Sequence, residues 1–196
     1  MKFDDYIKKR INLYEQILDN RTFKDKFKEV YEKIRETLAT GGKLLLCGNG
    51  GSAADCQHIA AEFIGKLSVK RESWPAIALT TDSAVLTAVG NDYVFSYIFA
   101  RQIEALAQSG DMLIALSTSG NSENVLCAIQ AAKDSNIAAY AITGASGGKI
   151  ATLYNNVLQI PVHDPQICQE LTVMIFHTMC AMLESECHEQ VRFLRS

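Results

Sequence analysis

The stretch from Lys43 to Lys66 constrains the fold more than any other part of the chain. It opens with a mainly apolar run over 43–47, as expected for a strand buried on both faces of a parallel sheet. The sequence Gly-Asn-Gly-Gly-Ser follows at 48–52, and helix-forming residues continue behind Ser52, the predicted N-cap. A strand, a glycine-rich turn and a helix N-terminus in this order favour the binding of an anion.

The same pattern of apolar run, turn and helix recurs along the chain. The predicted strands are 43–47, 76–79, 112–116, 138–142 and 157–160. A helix from about 84 should be broken by Gly-Asn-Asp at 90–92, a further one should run over 93–107, and later helices should cover 125–133, a short segment behind 147–148, and 165–187. Strands alternating with helices predict an α/β fold, a doubly wound five-stranded parallel sheet in a three-layer αβα sandwich.

Two extra helices are predicted before the first strand, over residues 2–19 and 22–40, where apolar residues recur at helical spacing. The first of them carries apolar residues on more than one narrow stripe. We therefore expect this helix to pack against a second copy of the chain as well as its own domain. The remaining pattern shows no linker, so we expect one domain over 1–196.

Composition excludes several classes of function. The 196 residues carry a formal net charge of −3, which offers no basic surface for nucleic acid. Because the N-terminus lacks the apolar core of a signal peptide and no apolar run reaches membrane-spanning length, a cytoplasmic protein without a membrane partner is expected. The six cysteines have neither CxxC pairs nor metal-type spacing, which predicts buried free thiols.

A second turn, after the third predicted strand, is rich in hydroxyl groups. The hydroxyl-bearing residues are Ser117, Thr118, Ser119 and Ser122. They would suit a terminal phosphate held without lysine at a helix N-terminus, although such a turn, taken alone, is more often a simple capped loop. It is neither a Walker loop nor a GxGxxG fingerprint. Because ligands bind outside the carboxyl ends of parallel strands, this turn and the glycine-rich turn should share one site.

Two helices carry polar residues that suit chemistry. His58 and Glu62 are four residues apart and should lie on one face of the helix behind the glycine turn. Gln169 and His177 are eight residues apart on the last helix, within a quarter-turn of one another. Taken alone, His58 and Glu62 favour a surface pair or a core histidine over a site, and HIAAE is not the HExxH motif although its spacing resembles that of a metal-binding helix.

Together these motifs resemble the sugar isomerase (SIS) family, and within it the phosphoheptose isomerases, also called sedoheptulose 7-phosphate isomerases. The resemblance is carried by CGNGGSAADCQHIAAEF, VGNDYVF, LSTSGNSENV and the polar residues of the last helix, over nearly the whole chain. It implies the SIS fold and a homotetramer with sites shared between subunits. The implied reaction converts sedoheptulose 7-phosphate to D-glycero-D-manno-heptose 7-phosphate through an enediol, for bacterial surface polysaccharide such as lipopolysaccharide.

The resemblance also implies roles for individual residues. The phosphate would be held by Ser117, Thr118, Ser119 and Ser122. The rest of the substrate would be contacted by Asn49, Gly50, Gly51, Ser52, Glu62, Asn91, Asp92 and Gln169. Glu62 and His177 match the catalytic base and acid of the family. A zinc site of some members, with one ion per subunit, is matched by His58, Glu62, Gln169 and His177.

Two other functions fit the same fold. One is a non-catalytic SIS protein that regulates by binding a sugar phosphate or a replication-initiation protein. The presence of Glu62, Gln169 and His177 argues against it, because a regulator has no need of a proton-transfer pair. The other is isomerisation of a different phosphosugar, which the sequence does not discriminate.

Overall fold

The computed structural model describes residues 2–193, with side chains described from 2 to 187. The strands are β1 (Leu44–Gly48), β2 (Ala76–Ala78), β3 (Met112–Ser117), β4 (Ala138–Thr143) and β5 (Val157–Gln159). The helices are α1 (Phe3–Asp19), α2 (Arg21–Ala39), α3 (Gly51–Ile64), α4 (Ser83–Asp92), α5 (Ala100–Leu106), α6 (Glu123–Asp134), α7 (Gly148–Leu153) and α8 (Pro165–Phe193). A short 3₁₀ helix, Phe95–Tyr97, lies between α4 and α5.

The five strands form one parallel sheet in the order β2-β1-β3-β4-β5. Every residue of β1 and of the central strand β3 is buried, because helices cover both faces of the sheet. Side chains of α1, α2, α3 and α8 form the core on one face, and those of α5, α6 and α7 form the core on the other. The predicted αβα sandwich is confirmed, and the five predicted strands agree to within a residue at each end.

Between β2 and β3 the prediction of two helices was wrong in two places. The helix expected to break at 90–92 continues to Asp92, since Gly90 is tolerated near a helix end. The single helix expected over 93–107 is instead a 3₁₀ turn followed by α5, which begins only at Ala100. Val94 adopts an extended conformation, and this prevents a continuous helix through the segment.

The start of α3 also differs from the prediction. Its N-cap is Gly50 rather than Ser52, and Gly50 has a φ of +55°, a conformation that glycine adopts without strain. The helix therefore begins two residues earlier than the serine predicted, and Ser52 is buried in its first turn. The turn between β1 and α3 is reduced to Asn49 and Gly50, so the helix N-terminus stands directly at the end of the strand.

The helix α1 buries only a small part of its apolar surface. Leu13 and Ile17 join the core, whereas Phe3 is 78% exposed and Leu18 is 69% exposed. Polar contacts add to its anchoring, because the Arg10 guanidinium donates to both carboxylate oxygens of Glu170 on α8 at 2.5 and 2.6 Å. Much of the apolar surface of α1 is thus available to a second molecule.

Within residues 2–193, no helix combines the length and apolar character needed to cross a membrane. All six cysteines are free. Four are buried, and Cys127 and Cys187 are half-buried.

Candidate active site

The two predicted turns meet at the carboxyl ends of β1 and β3. These strands are paired so that Gly48 lies beside Leu116. Two asparagines then join the turns, because Asn49 and Asn124 each donate their side-chain amide to the other at 2.8 Å. Asn124 is 2% exposed, so the pair is partly buried between the glycine-rich turn and the first turn of α6. The two predicted turns are therefore in contact, and their use as one binding site stays a prediction.

The last helix closes over the glycine-rich turn through Gln169. A Cβ placed on Gly51 would lie 2.5 Å from both the amide nitrogen and the amide oxygen of Gln169. A Cβ at 51 would displace the flexible Gln169 amide, so glycine allows the α8 side chain to approach the α3 backbone this closely. The first N–H groups of α3 have no partners within the helix, which leaves them available to a ligand between the turn and Gln169.

Three titratable side chains converge two turns further along α3 and α8. The His58 Nε2 atom lies 3.2 Å from Glu62 Oε1 and 3.2 Å from His177 Nε2. Glu62 Oε1 is 3.9 Å from His177 Nε2, and the two imidazole rings meet edge to face with centroids 4.9 Å apart. The helical spacing predicted the pair on α3, and the fold brings His177 to it across 119 positions of sequence.

This triad has the donors and the spacing of a metal site. One ligand atom from each of His58, Glu62 and His177 lies within 4.8 Å of the other two. Zinc accepts imidazole nitrogen and carboxylate oxygen, and tetrahedral bonds of about 2.1 Å place neighbouring ligand atoms about 3.4 Å apart. The measured separations of 3.2, 3.2 and 3.9 Å therefore fit a single ion. The fourth predicted ligand, Gln169, has its amide at Gly51, and its metal role stays a prediction.

The hydroxyl-rich turn is compact and internally bonded. Ser117 and Ser122 have their hydroxyl oxygens 3.1 Å apart, and the Ser119 hydroxyl accepts the Asn121 backbone N–H at 3.2 Å. Ser117 is buried, Thr118 and Ser122 are half-buried, and Ser119 is exposed. The turn thus presents hydroxyls and N–H groups at the start of α6, which suits a phosphate as predicted.

A neighbouring loop fixes the shape of this turn. The Asn121 side chain accepts the Lys149 backbone N–H at 2.9 Å, and the Gly120 carbonyl accepts that of Ile150 at 2.9 Å. A Cβ on Gly120 would lie 2.0 Å from the Gly147 carbonyl oxygen, so the two loops pack backbone against backbone. The hydroxyl turn is therefore held by the 147–150 segment before any ligand arrives.

Two other predicted contact residues form no hydrogen bond with these groups in the described part of the chain. Asn91 and Asp92 are exposed at the C-terminal end of α4, where the Asn91 amide donates to the Asp92 carboxylate at 2.8 Å. Their predicted role would need the substrate to extend to this end of α4 or another subunit to approach it. It stays a prediction.

The sequence reasoning missed one carboxylate near the site. Asp55 lies on α3, three residues before His58, and its Oδ2 atom is buried without a hydrogen-bond partner among the described residues. Burial raises the pKa of Asp55 to about 6, although the nearby His58 opposes that shift. The spacing of three residues on one helix was the available signal. Asn124 was also missed, since a lone amide in an apolar helix has no distinctive spacing.

Comparison with known proteins identifies the protein family to which the chain belongs. The family described as SIS domain matches residues 5–144. A phosphoheptose isomerase of Roseiflexus sp. is 47% identical over 161 residues, which cover 82% of each chain.

Solved structures agree with the sequence comparison. The structure of a phosphoheptose isomerase from Francisella tularensis matches with a TM-score of 0.87 and 34% identity, covering 93% of this chain and 96% of the other. That of phosphoheptose isomerase from Neisseria gonorrhoeae matches with a TM-score of 0.81 and 38% identity, covering 93% and 95%. The chain therefore belongs to the phosphoheptose isomerases of the SIS family, as the sequence motifs predicted.

Proposed function

We propose that this protein is an aldose–ketose isomerase that converts sedoheptulose 7-phosphate to D-glycero-D-manno-heptose 7-phosphate. The observation that carries the proposal is the convergence of Glu62 and His177, from two different helices, beside two anion-favouring turns. Membership of the phosphoheptose isomerases supports the same reaction. Because those relatives are isomerases, the comparison also favours an enzyme over a regulatory SIS protein. In this role the product would feed bacterial surface polysaccharide such as lipopolysaccharide.

Substrate binding divides between the two turns. The phosphate is held by Ser117, Thr118, Ser119 and Ser122, with backbone N–H groups of α6. The sugar is contacted by Asn49, Gly50, Gly51, Ser52, Glu62, Asn91, Asp92 and Gln169. What supports this division is that the hydroxyl groups cluster at one turn, whereas the glycine turn allows close backbone approach. The reacting end of the sugar then lies toward the titratable triad.

The reaction moves one proton between C1 and C2 of the sugar. Glu62 removes the proton from C1 of the ketose, giving an enediol, and returns it to C2 of the aldose. His177 donates and accepts protons at the two adjacent oxygens, so that no free oxyanion accumulates. A positioned acid and base of this kind each contribute typically 10²–10⁴-fold to the rate.

The metal proposed for the triad is zinc, one ion per subunit. His58, Glu62 and His177 would hold it, with Gln169 as the predicted fourth ligand. When bound, zinc would supply Lewis-acid polarisation of the sugar carbonyl. The Glu62 carboxylate has two oxygens, so one of them remains free to take the proton. In the metal-free site, His58 orients the carboxylate by its 3.2 Å contact, and His177 Nε2 is free to exchange a proton; an ion bound to these nitrogens would replace both of those roles.

The oligomeric state and location are also proposals. We infer one SIS domain over 1–196 and a homotetramer in which α1 and α2, within 1–40, contribute to the interface. The exposed Phe3, Ile11 and Leu18 side chains support this arrangement. Six free cysteines suit the reducing cytoplasm, where thiols persist.

The direct test is incubation of purified protein with sedoheptulose 7-phosphate, followed by separation of ketose from aldose. Running the reaction in D₂O tests the mechanism, because a proton held by Glu62 exchanges with solvent during the lifetime of the enediol. We expect deuterium at C2 of the aldose. An active enzyme whose early product carries no deuterium would point to direct hydride transfer, and Glu62→Gln would then retain substantial activity.

Metal dependence is tested separately. Elemental analysis of protein purified without added metal should find zinc, and chelation should lower activity that returns on addition of zinc. If activity survives complete removal of metal, the triad acts only through its own side chains.

A further inference from the structure

One carboxylate near the end of α8 holds the segment that follows α3. Glu184 is 1% exposed and accepts the backbone N–H groups of Leu67, Ser68 and Val69, each at 2.9 Å. It also accepts the Ser68 hydroxyl at 3.0 Å and Arg71 Nε at 3.2 Å. Burial alone would raise the pKa of Glu184, but these hydrogen bonds lower it to about 2. The carboxylate is therefore satisfied as an anion.

The two terminal nitrogens of the Arg71 guanidinium donate hydrogen bonds to the last turn of α3. Its Nη2 donates to the Glu62 carbonyl at 2.8 Å, and its Nη1 donates to the Phe63 carbonyl at 2.9 Å. The guanidinium also stacks 3.4 Å from the centroid of the Trp74 ring, and the Arg71 side chain is 4% exposed. Carbonyls in the last turn of a helix lack partners within it, and a cation there is favoured by the helix dipole.

These contacts connect the two helices that carry the triad. Glu184 lies seven residues beyond His177, which is about two turns along the same face of α8. Arg71 bonds directly to the backbone of Glu62, whose carboxylate is 3.9 Å from His177 Nε2. Within these contacts, the ion pair of Arg71 and Glu184 is buried. Movement of the end of α3 relative to α8 would break at least one hydrogen bond of a buried charge, which is costly.

We infer that Arg71 and Glu184 are positioning residues that set the separation of Glu62 and His177, and with it the geometry for proton transfer. The inference rests on the proposed function for its effect on catalysis. Neither residue needs to touch substrate, because Arg71 acts on the Glu62 backbone and Glu184 acts on Arg71 and the loop. A misplacement of about 1 Å between acid and base can cost about 10²-fold in rate.

The protein contains a second, similar ion pair away from the candidate site, formed by Lys43 and Asp111. Asp111, which is 4% exposed, accepts Lys43 Nζ at 2.5 Å and the backbone N–H groups of Lys43 and Gln108 at 2.9 and 2.8 Å. This pair lies at the amino ends of β1 and β3, opposite the candidate site. It therefore has the chemistry of the Arg71–Glu184 pair without its connection to the triad. Lys43→Met and Asp111→Asn control for general loss of stability.

The experiment compares Arg71→Met and Glu184→Gln with those two controls. For each variant, kcat and KM are measured well below its melting temperature, together with zinc affinity by calorimetry. We expect Arg71→Met to lower kcat by about 10²-fold while KM changes little. Zinc affinity should fall about 10–100-fold, because ligands from two helices lose their alignment. The controls should lower the melting temperature and leave kcat and zinc affinity near the wild-type values.

Crystal structures of wild type and variant supply a measure independent of activity. The Glu62–His177 separation should increase in Arg71→Met and stay unchanged in Lys43→Met. If Arg71→Met does not fold, Glu184→Gln and Arg71→Lys, which keep shape or charge, serve in its place. An active wild type with undiminished kcat in these variants, or an unchanged separation, would overturn the inference. A wild type without isomerase activity would instead overturn the proposed function, and the separation would still decide the role of Arg71.

Discussion

The two turns at the carboxyl ends of β1 and β3 share a strand-turn-helix backbone, but the helices that follow them carry different side chains. Each follows a buried strand and opens a helix, and Asn49 and Asn124 join them. Behind the glycine-rich turn, α3 carries Asp55, His58 and Glu62 on its polar side. Behind the hydroxyl-rich turn, α6 is largely buried, and its charged side chains lie only at its two ends.

In the proposed function, this difference separates proton transfer from anion binding. The hydroxyl-rich turn offers neutral donors, which suit a phosphate because they do not compete for protons. The α3 helix presents groups that exchange protons or bind a metal, and it needs α8 to complete the set with His177. Changes at the glycine-rich turn and its helix should therefore affect kcat, and changes at the hydroxyl-rich turn should affect KM.

The largest effect is expected at the base. Replacing Glu62 with Gln keeps the size of the side chain and removes its ability to accept a proton, so kcat should fall by about 10²–10⁴-fold. His177→Gln should have an effect of similar size. Binding of substrate should change much less than turnover, which steady-state kinetics and isothermal titration can separate.

The control for these variants is His163→Gln, at an exposed histidine just before α8. It should keep full activity. Circular dichroism and sedimentation should show that all three variants retain fold and assembly. Near-normal turnover in Glu62→Gln would remove Glu62 from the mechanism.

A smaller effect, on KM and not on kcat, is expected at the hydroxyl-rich turn. Ser119→Leu places bulk where, in the proposed function, the phosphate approaches hydroxyl and N–H groups. Loss of a hydrogen bond to a charged group costs about 1.5–3 kcal/mol, so KM should rise about 10–100-fold with little change in kcat. Ser135→Leu, at the far end of α6, is the comparison. If affinity falls for a Ser52 change but not for Ser119→Leu, the two ends of the substrate have been assigned in reverse.

The contact between the turns is tested by Asn124→Ala. This change removes two hydrogen bonds of 2.8 Å and leaves the Asn49 amide without its partner, which costs about 1–3 kcal/mol of stability. KM should rise modestly and kcat should fall modestly, because the glycine-rich turn loses its hydrogen bonds to α6. The control is Asn156→Ala, whose amide makes one longer bond of 3.3 Å at the surface. Equal melting temperatures for the two variants would show that the asparagine pair contributes little.

The sequence predicted the scaffold well because the scaffold depends on local pattern. Apolar runs and turn residues located all five strands, and helical spacing placed His58 and Glu62 on one face of α3. The errors fall where tertiary contacts decide the backbone. Gly50 takes the N-cap position through its positive φ, and the extended Val94 separates segments predicted as one helix.

Long-range partners were beyond the reach of local pattern. Arg71 and Glu184 are 113 positions apart and belong to no motif, so only the fold reveals that they join α3 to α8. The unpartnered oxygen of Asp55 likewise follows from packing, although its place one turn before His58 was visible in the sequence. The position of His177 against α3 required the family resemblance and is now given by the structure.

The smallest expected effect concerns Asp55 and is a change of stability with pH. Burial raises the pKa of this carboxyl to about 6, above its ordinary value near 4, because the charged form is poorly solvated. Below pH 4 both folded and unfolded chains hold the proton, and the folded state has its full stability. As pH rises from 4 through 6, the unfolded chain releases the proton more readily, so the folded state loses stability.

Asp55→Asn cannot titrate, and its melting temperature relative to wild type should therefore rise between pH 4 and 7. The comparison is made on metal-free protein, with Asp25→Asn on the exposed face of α2 as a control that should show no such rise. Parallel pH profiles for wild type and Asp55→Asn would mean that the buried oxygen is solvated in solution, and the contrast between the two turns would then rest on His58, Glu62 and His177 alone.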